Sequence, residues 1–137
     1  MSVRFGDVEV GAALPPVDIG VTHQRVCMNA AVTWDWFPGH HDPAYARAQG
    51  QETIYLSTQF FTGFADRCAT EWAGDDAFVR RRCVRMHQAI YAGDVATASG
   101  SVVGKRVEQG RELVDLAIVV TSRDRPCVHV DLTVELP

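Results

Sequence analysis

The sequence predicts an α+β fold in which an antiparallel sheet wraps around one long central helix. An apolar stripe with helical spacing occupies the middle of the chain, and an alternation of apolar and polar residues follows it to the end. A helix and a sheet that are each apolar on one side bury those sides against each other. With 137 residues, of which 47% are hydrophobic, residues 1–137 are expected to form a single domain.

The composition argues against several classes of function. The formal net charge is −4, and the charged residues are spread along the chain without a basic stripe. We therefore expect neither a nucleic acid nor a membrane as partner. The chain starts without the apolar region of a signal peptide, and no apolar run approaches the roughly 18 residues of a membrane span, so a cytoplasmic location is expected. The cysteines lie far apart, which predicts reduced thiols.

The N-terminal part of the chain predicts one strand and two short helices. Glycines and prolines within residues 5–16 indicate a surface segment, and residues 17–26 are the expected first strand. The apolar spacing in residues 27–34 fits a short helix that ends just before Asp35. Pro43 is suited to begin a brief helical turn, which would close at Gly50.

The central helix is predicted to run from Thr53, as its cap, to Gly74, as its stop signal. Its buried stripe has the i, i+3, i+4 spacing and consists of Phe61, Phe64, Ala65, Cys68 and Trp72. Gly63 lies inside this helix, where glycine costs about 1 kcal/mol relative to alanine. We expect the helix backbone to approach the sheet closely at that position.

After the central helix the sequence pattern indicates strands. The alternating segments are residues 84–90, 95–107, 112–122 and 128–136. The last of them has apolar residues on one face and polar residues on the other, as in a half-buried antiparallel strand. Short turns at Gly93-Asp94 and at residues 108–111 separate the segments. Four successive strands joined by hairpins are therefore expected.

Residues 35–50 form the segment most suited to proton transfer. They combine two carboxylates, two histidines, two prolines and two glycines. Backbone breakers hold a loop in one shape, and loops on rigid scaffolds often carry catalytic groups. Asp35 and His40 are the candidate catalytic pair. The alternative is structural, with Asp35 paired to an arginine and His40 hydrogen-bonded within the loop.

The neighbours of His40 have less specific interpretations. His41 follows it directly and is expected to point away and shape the pocket. Asp42 precedes a proline, which is typical of a helix cap first and of a substrate contact second. No metal is expected, because adjacent side chains rarely converge on one ion.

The loop carries a spaced motif of Asp, a Pro three residues on, a His five residues on and a following Asp-Pro. The matching residues are Asp35, Pro38, His40, Asp42 and Pro43. This motif resembles that of the MaoC-like (R)-specific enoyl-CoA hydratases, which have the hotdog fold. Residues 91–95, Tyr-Ala-Gly-Asp-Val, also resemble the Gly-Asp turn between the central strands of that family. The resemblance covers the chain from about residue 17 to its end.

Two positions depart from the family pattern. Phe37 stands where the family usually has Asn, and residues 55–58 lack the glycine expected near the start of the central helix. Both changes resemble a divergent actinobacterial branch, the small subunits of steroid side-chain enoyl-CoA hydratases. That branch shares the His-His-Asp run and the Trp-Ala-Gly sequence found here at residues 72–74. Its small chain pairs with a second hotdog chain.

The resemblance implies the addition of water to a 2-enoyl thioester, with an enoyl-CoA that carries a bulky steroid side-chain acyl group as the narrower expectation. Asp35 would activate the water and His40 would protonate Cα. Unpaired backbone N–H groups and the helix dipole favour negative charge at the start of the central helix. The N–H groups of Leu56, Ser57 and Thr58 are therefore expected to hold the thioester oxygen.

Further substrate contacts are expected from His41, Asp42, Phe60 and Arg85. Arg85 belongs to a basic cluster with residues 80–82, which forms either a solvated strand face or a site for CoA phosphates. No cofactor is expected beyond the CoA of the substrate. Exposed strand edges predict a homodimer, or a heterodimer with another hotdog chain.

Two other functions compete with hydration. One is a non-catalytic hotdog partner that stabilises an active chain, which Phe37 and the missing glycine favour. The other is a hotdog acyl-CoA thioesterase, which often uses an acid on the central helix. That helix offers only Asp66 and Glu71, both late in it.

Overall fold

The computed structural model describes residues 2–137, in which five strands form one antiparallel sheet of order β1-β3-β4-β5-β2. The strands are β1 (Ala13–Gly20), β2 (Phe78–Met86), β3 (Val95–Glu108), β4 (Arg111–Ser122) and β5 (Arg125–Leu136). The helices are α1 (His23–Val32), α2 (Pro43–Ala48) and α3 (Thr58–Ala73), with 3-10 turns at Phe5–Asp7 and Pro38–His40. The predicted α+β fold is confirmed.

The core lies between α3 and the sheet, and every strand of the sheet contacts this helix. The buried side chains of α3 are Phe61, Phe64, Ala65, Cys68, Ala69 and Ala73. On β5 the facing side chains Val128, Val130, Leu132 and Val134 are at most 2% exposed. The predicted stripe and the alternation of the last strand are therefore confirmed, although Trp72 is only partly buried.

The strand order differs from the predicted chain of hairpins. β2 pairs with β5 and not with β3, so the chain crosses the sheet between β2 and β3. Within the segment that connects β2 to β3, residues 90–92 pair with residues 54–56. The Leu56 N–H donates to the Ile90 carbonyl and the Ala92 N–H donates to the Ile54 carbonyl, each at 3.0 Å. The same contacts hold residues 54–56 extended. This is why α3 begins after Ser57 and not at the predicted cap Thr53.

The predicted first strand, residues 17–26, is wrong in its bounds. β1 ends at Gly20, and Thr22 caps α1 by accepting a hydrogen bond from the Arg25 N–H at 3.0 Å. β1 also begins earlier, at Ala13, although it contains two prolines. Prolines are tolerated there because β1 is an edge strand with a bulge between Leu14 and Val17.

Gly63 does not lie in close contact with the sheet, contrary to the prediction. The residue is exposed, and a Cβ built on it would meet nothing within 4 Å.

Among residues 2–137 no helix is both long and apolar enough to cross a bilayer.

Candidate active site

Asp35 and His40 come together at the end of α1. Their Oδ2 and Nε2 atoms are 3.5 Å apart. His40 is 7% exposed as a residue, and the Asp35 side chain is 23% exposed. The pair is thus partly shielded from water but still accessible to a small ligand.

Asp35 is positioned by the way α1 ends. The Trp34 N–H donates to the Ala31 carbonyl at 3.3 Å, and the Asp35 N–H donates to the Ala30 carbonyl at 3.0 Å. These bonds form a Schellman motif in which Trp34 adopts a left-handed conformation with φ of 57°. The chain turns sharply there and directs the carboxylate that follows toward the loop.

Any residue with a Cβ is strained in this left-handed conformation, whereas glycine is not. We therefore expect Trp34→Gly to be more stable than Trp34→Ala by about 1 kcal/mol. Both variants lose the edge contact with the Trp36 ring, so only the backbone preference differs between them. Urea unfolding of the two variants measures the difference. At Trp36, where φ is not positive, the order should reverse. Equal stability of the two Trp34 variants would contradict the motif.

His40 is oriented by the main chain of Tyr55. Its Nδ1–H donates to the Tyr55 carbonyl at 2.7 Å, and the Tyr55 N–H donates to the Gly39 carbonyl at 3.3 Å. A carbonyl only accepts, so Nδ1 carries the proton and Nε2 is the nitrogen that faces Asp35. The Tyr55 carbonyl therefore keeps a proton on Nδ1, and Nε2 is the nitrogen that can gain or lose one.

Aromatic rings surround the imidazole. The His40 ring lies edge-on to Tyr55 at 5.0 Å and to Phe37 at 5.6 Å between centroids, and Phe37 also contacts Tyr45 at 5.7 Å. Phe37 thus gives His40 an apolar wall. Burial, with smaller contributions from Tyr45, Tyr91 and Asp35, raises the pKa of the Tyr55 hydroxyl, which stays a neutral phenol.

Tyr55, whose carbonyl holds His40, leads into the start of α3, which offers backbone donors. The N–H of Leu56 is already bonded to Ile90, so its inclusion among the predicted donors is wrong. The N–H groups of Ser57, Thr58 and Gln59 have no acceptor among residues 2–137. These three donors and the positive end of the helix dipole form an anion-binding arrangement.

The Ser57 hydroxyl does not cap α3 but bonds to α1 instead. It accepts a hydrogen bond from Asn29 Nδ2 at 2.9 Å, and the residue is 2% exposed. Sequence reasoning missed Asn29, whose only signal is a polar residue within α1. The bond ties α1, which Asp35 follows three residues later, to the start of α3.

The other predicted site residues have different surroundings. His41 is exposed, and its Nε2–H donates to the Trp36 carbonyl at 3.3 Å. Asp42 caps α2 by accepting from the N–H groups of Ala44 at 2.9 Å and Tyr45 at 3.1 Å. The cap interpretation of Asp42 is confirmed.

Phe60 and Arg85 lie on opposite sides of the sheet. Phe60 lines a groove between α1 and α3. Arg85 bonds to Asp131 at 2.7 Å, on the face of the sheet that points away from α3, whereas Arg82 faces α3 and bonds to Asp66. Within one chain Arg85 is therefore not brought to Asp35 and His40.

An antiparallel sheet around one central helix is the architecture of the hotdog fold, and here an Asp–His pair accompanies it. The chain belongs to the MaoC like domain family, which matches residues 9–124. It is 33% identical over 127 residues to the 3-oxo-4,17-pregnadiene-20-carboxyl-CoA hydratase beta subunit of Mycobacterium tuberculosis, covering 93% of this chain and 94% of that protein.

Solved structures with a similar fold superpose on this chain over most of its length. A chain of the ChsH1-ChsH2 complex from Mycobacterium tuberculosis superposes with a TM-score of 0.87 at 29% identity, covering 94% of this chain and 98% of that chain. The (R)-hydratase from A. caviae involved in PHA biosynthesis superposes with a TM-score of 0.86 at 19% identity, covering 96% and 98%. The second likeness shows the hotdog fold alone.

Proposed function

We propose that this protein adds water to 2-enoyl-CoA thioesters, or removes it in the reverse direction, and that its acyl substrate carries a bulky polycyclic group. The single observation that carries the proposal is the 3.5 Å approach of Asp35 Oδ2 to His40 Nε2, with Nδ1 held by the Tyr55 carbonyl. The relative named as a hydratase of a pregnadiene-carboxyl-CoA supports the choice of substrate.

The pair suits general acid–base chemistry with one mobile proton on His40 Nε2. The Asp35 carboxylate accepts a proton from water as the water oxygen bonds to Cβ, and Nε2–H delivers its proton to Cα. Asp35 is then protonated and Nε2 is bare. The proton returns from Oδ2 to Nε2 across the 3.5 Å gap, which restores the starting state. Nδ1 keeps its bond to Tyr55 throughout.

The negative charge that develops on the thioester oxygen needs donors of its own. The free N–H groups of Ser57, Thr58 and Gln59 can bind that oxygen, and the helix dipole adds to their effect. Ser57 accepts from Asn29, so its hydroxyl proton is available as a further donor. Apart from the protons that Asp35 and His40 exchange, every bond that forms or breaks belongs to water or substrate, so the proposed reaction uses no cofactor beyond the CoA of the substrate.

The thioesterase alternative loses support from the acids of α3. Asp66 pairs with Arg82, and Glu71 pairs with Arg67 at 2.6 Å. A carboxylate that is already paired with an arginine is poorly suited to attack a thioester or to activate water for that attack. The Asp35–His40 pair therefore favours hydration over thioester hydrolysis.

Assembly with a second hotdog chain is part of the proposal. β1 and β2 are the edge strands among residues 2–137, and β1 carries Pro15 and Pro16, which lack the N–H groups needed for pairing. β2 has no proline and is largely exposed, so it is the edge suited to a partner strand. The resemblance to a chain of the ChsH1-ChsH2 complex supports a heteromeric partner. Native mass of the chain expressed alone distinguishes a homodimer from a subunit that requires a different chain.

The function is tested by mixing the protein with crotonyl-CoA and with a polycyclic enoyl-CoA and following the absorbance of the conjugated thioester. We expect the absorbance to fall with both substrates, without release of free thiol. Release of CoA thiol would support the thioesterase. Activity that appears only with a second hotdog chain and survives Asp35→Asn would support the non-catalytic partner.

A further inference from the structure

Gly63 occupies an unusual position in α3. It lies in the middle of the helix, where glycine costs about 1 kcal/mol relative to alanine. Its φ is not positive, and a Cβ at this position would meet nothing within 4 Å, so neither backbone conformation nor packing within the chain requires glycine. The space beside Gly63 is open, and a side chain there would fill it.

This space belongs to a groove between α1 and α3. A cavity of about 360 Å³ is lined by Gly63, Phe60 and Phe64 of α3 together with Asn29 and Thr33. A second cavity of about 380 Å³ shares Asn29 and Phe60 with the first and adds two apolar side chains of α1. These are Met28 and Val32, which are 56% and 74% exposed. The volumes fall in the range of ligand sites, roughly 300–1,000 Å³.

Asp35 and His40 do not line the groove, but residues next to the proposed site of hydration do. One end is formed by Thr33, two residues before Asp35, and by Gln59, whose free N–H is among the donors at the start of α3. Asn29, on the groove wall, bonds to Ser57 at 2.9 Å. A thioester whose carbonyl oxygen lies at these donors therefore has the groove as the adjacent apolar space for its acyl group.

We propose that this groove binds the bulky apolar part of the acyl group and that Gly63 determines the specificity for it by leaving the groove open. The inference rests on the proposed function and names the surface that selects the substrate. Phe60, Met28 and Val32 provide the apolar walls. The absence of a side chain at residue 63 provides the width that a fused-ring group needs.

The test compares Gly63→Leu with the wild type in the native assembly of the full chain. Calorimetry measures the binding of a saturated polycyclic carboxyl-CoA and of butyryl-CoA, and absorbance measures turnover of the matching polycyclic enoyl-CoA and of crotonyl-CoA. We expect Gly63→Leu to weaken binding and kcat/KM for the polycyclic ligands by at least about tenfold and to leave both values for the short ligands within about twofold.

Two variants control the comparison. Gly63→Ala leaves most of the groove open and should retain the polycyclic ligand with a higher melting temperature, because alanine is the better helix former. Gly6→Leu adds the same side chain at an exposed glycine that also has nothing within 4 Å of its Cβ and lies outside the groove. It should leave all four measurements unchanged.

The outcomes separate this inference from the proposed function. Selective loss of the polycyclic ligand without turnover of any enoyl-CoA by the wild type would refute hydration and retain the groove. Equal loss of long and short ligands, no loss of either, or no binding of the polycyclic ligand to the wild type would overturn the inference. A change in native mass with unchanged selectivity would assign the groove to a partner chain instead, and would also overturn it.

Discussion

Replacing Asp35 with asparagine is expected to lower kcat for enoyl-CoA hydration by about 10²- to 10⁴-fold. The amide has nearly the shape of the carboxylate but cannot take the proton of the attacking water. The side chain is 23% exposed and its bond from the Phe37 N–H is long, at 3.5 Å, so the fold should not depend on the charge. His40→Ala should have a similar effect, because it removes the group that delivers the proton to Cα.

The two residues act as a unit, so the double variant should lose little more activity than the more damaging single variant. Asp75→Asn, an exposed carboxylate in the turn after α3, is the matched control and should retain wild-type turnover. Circular dichroism and native mass verify the fold and assembly of each variant. Unchanged turnover by Asp35→Asn would show that this carboxylate is not the base.

Gly39→Ala is expected to damage both the stability and the activity of the protein. A Cβ at residue 39 would lie 2.6 Å from the Tyr55 hydroxyl oxygen and 2.8 Å from Cε1 of Phe37. Both rings contact His40, and Tyr55 also holds it through its carbonyl. Overpacking of this kind costs about 1–3 kcal/mol of unfolding free energy. The displaced imidazole should lose its alignment with Asp35, at a cost of roughly 10²-fold in kcat.

Thermal unfolding and crotonyl-CoA turnover measure the two effects separately. Gly6→Ala is the control, because a Cβ there meets nothing within 4 Å and neither glycine has a positive φ. A Gly39→Ala variant as active as Gly6→Ala would mean that His40 does not depend on the packing of Tyr55 against the loop.

The parts of the fold that follow from periodicity could be predicted from the sequence. The apolar stripe of α3 and the alternation of β5 are local patterns, and both are confirmed. The pairing of β2 with β5 joins segments about fifty residues apart, which no local pattern encodes. The bounds of β1 and α1 were missed because Thr22 acts as a helix cap within a run that resembles a strand.

Part of the candidate site could likewise be predicted from the sequence, and part of it could not. The spacing of Asp35 and His40 is visible in the sequence, and the resemblance to a family implied their roles as base and acid. The groups that orient them could not be predicted, since the Tyr55 carbonyl has no sequence signal and Asn29 meets Ser57 only through tertiary structure. Gly63 shows the same limit, because a glycine within a helix pattern does not reveal whether it makes room for the chain's own backbone or for a ligand.

In the proposed reaction one Asp–His pair supplies both the base and the acid. Groups only 3.5 Å apart reach the substrate from the same side, so hydrogen and hydroxyl must add to one face of the double bond. Hydration of crotonyl-CoA in D₂O, followed by NMR of the 3-hydroxybutyryl product, tests this directly. We predict a single deuterium at Cα on the same face as the new hydroxyl. Deuterium on the opposite face would contradict the account.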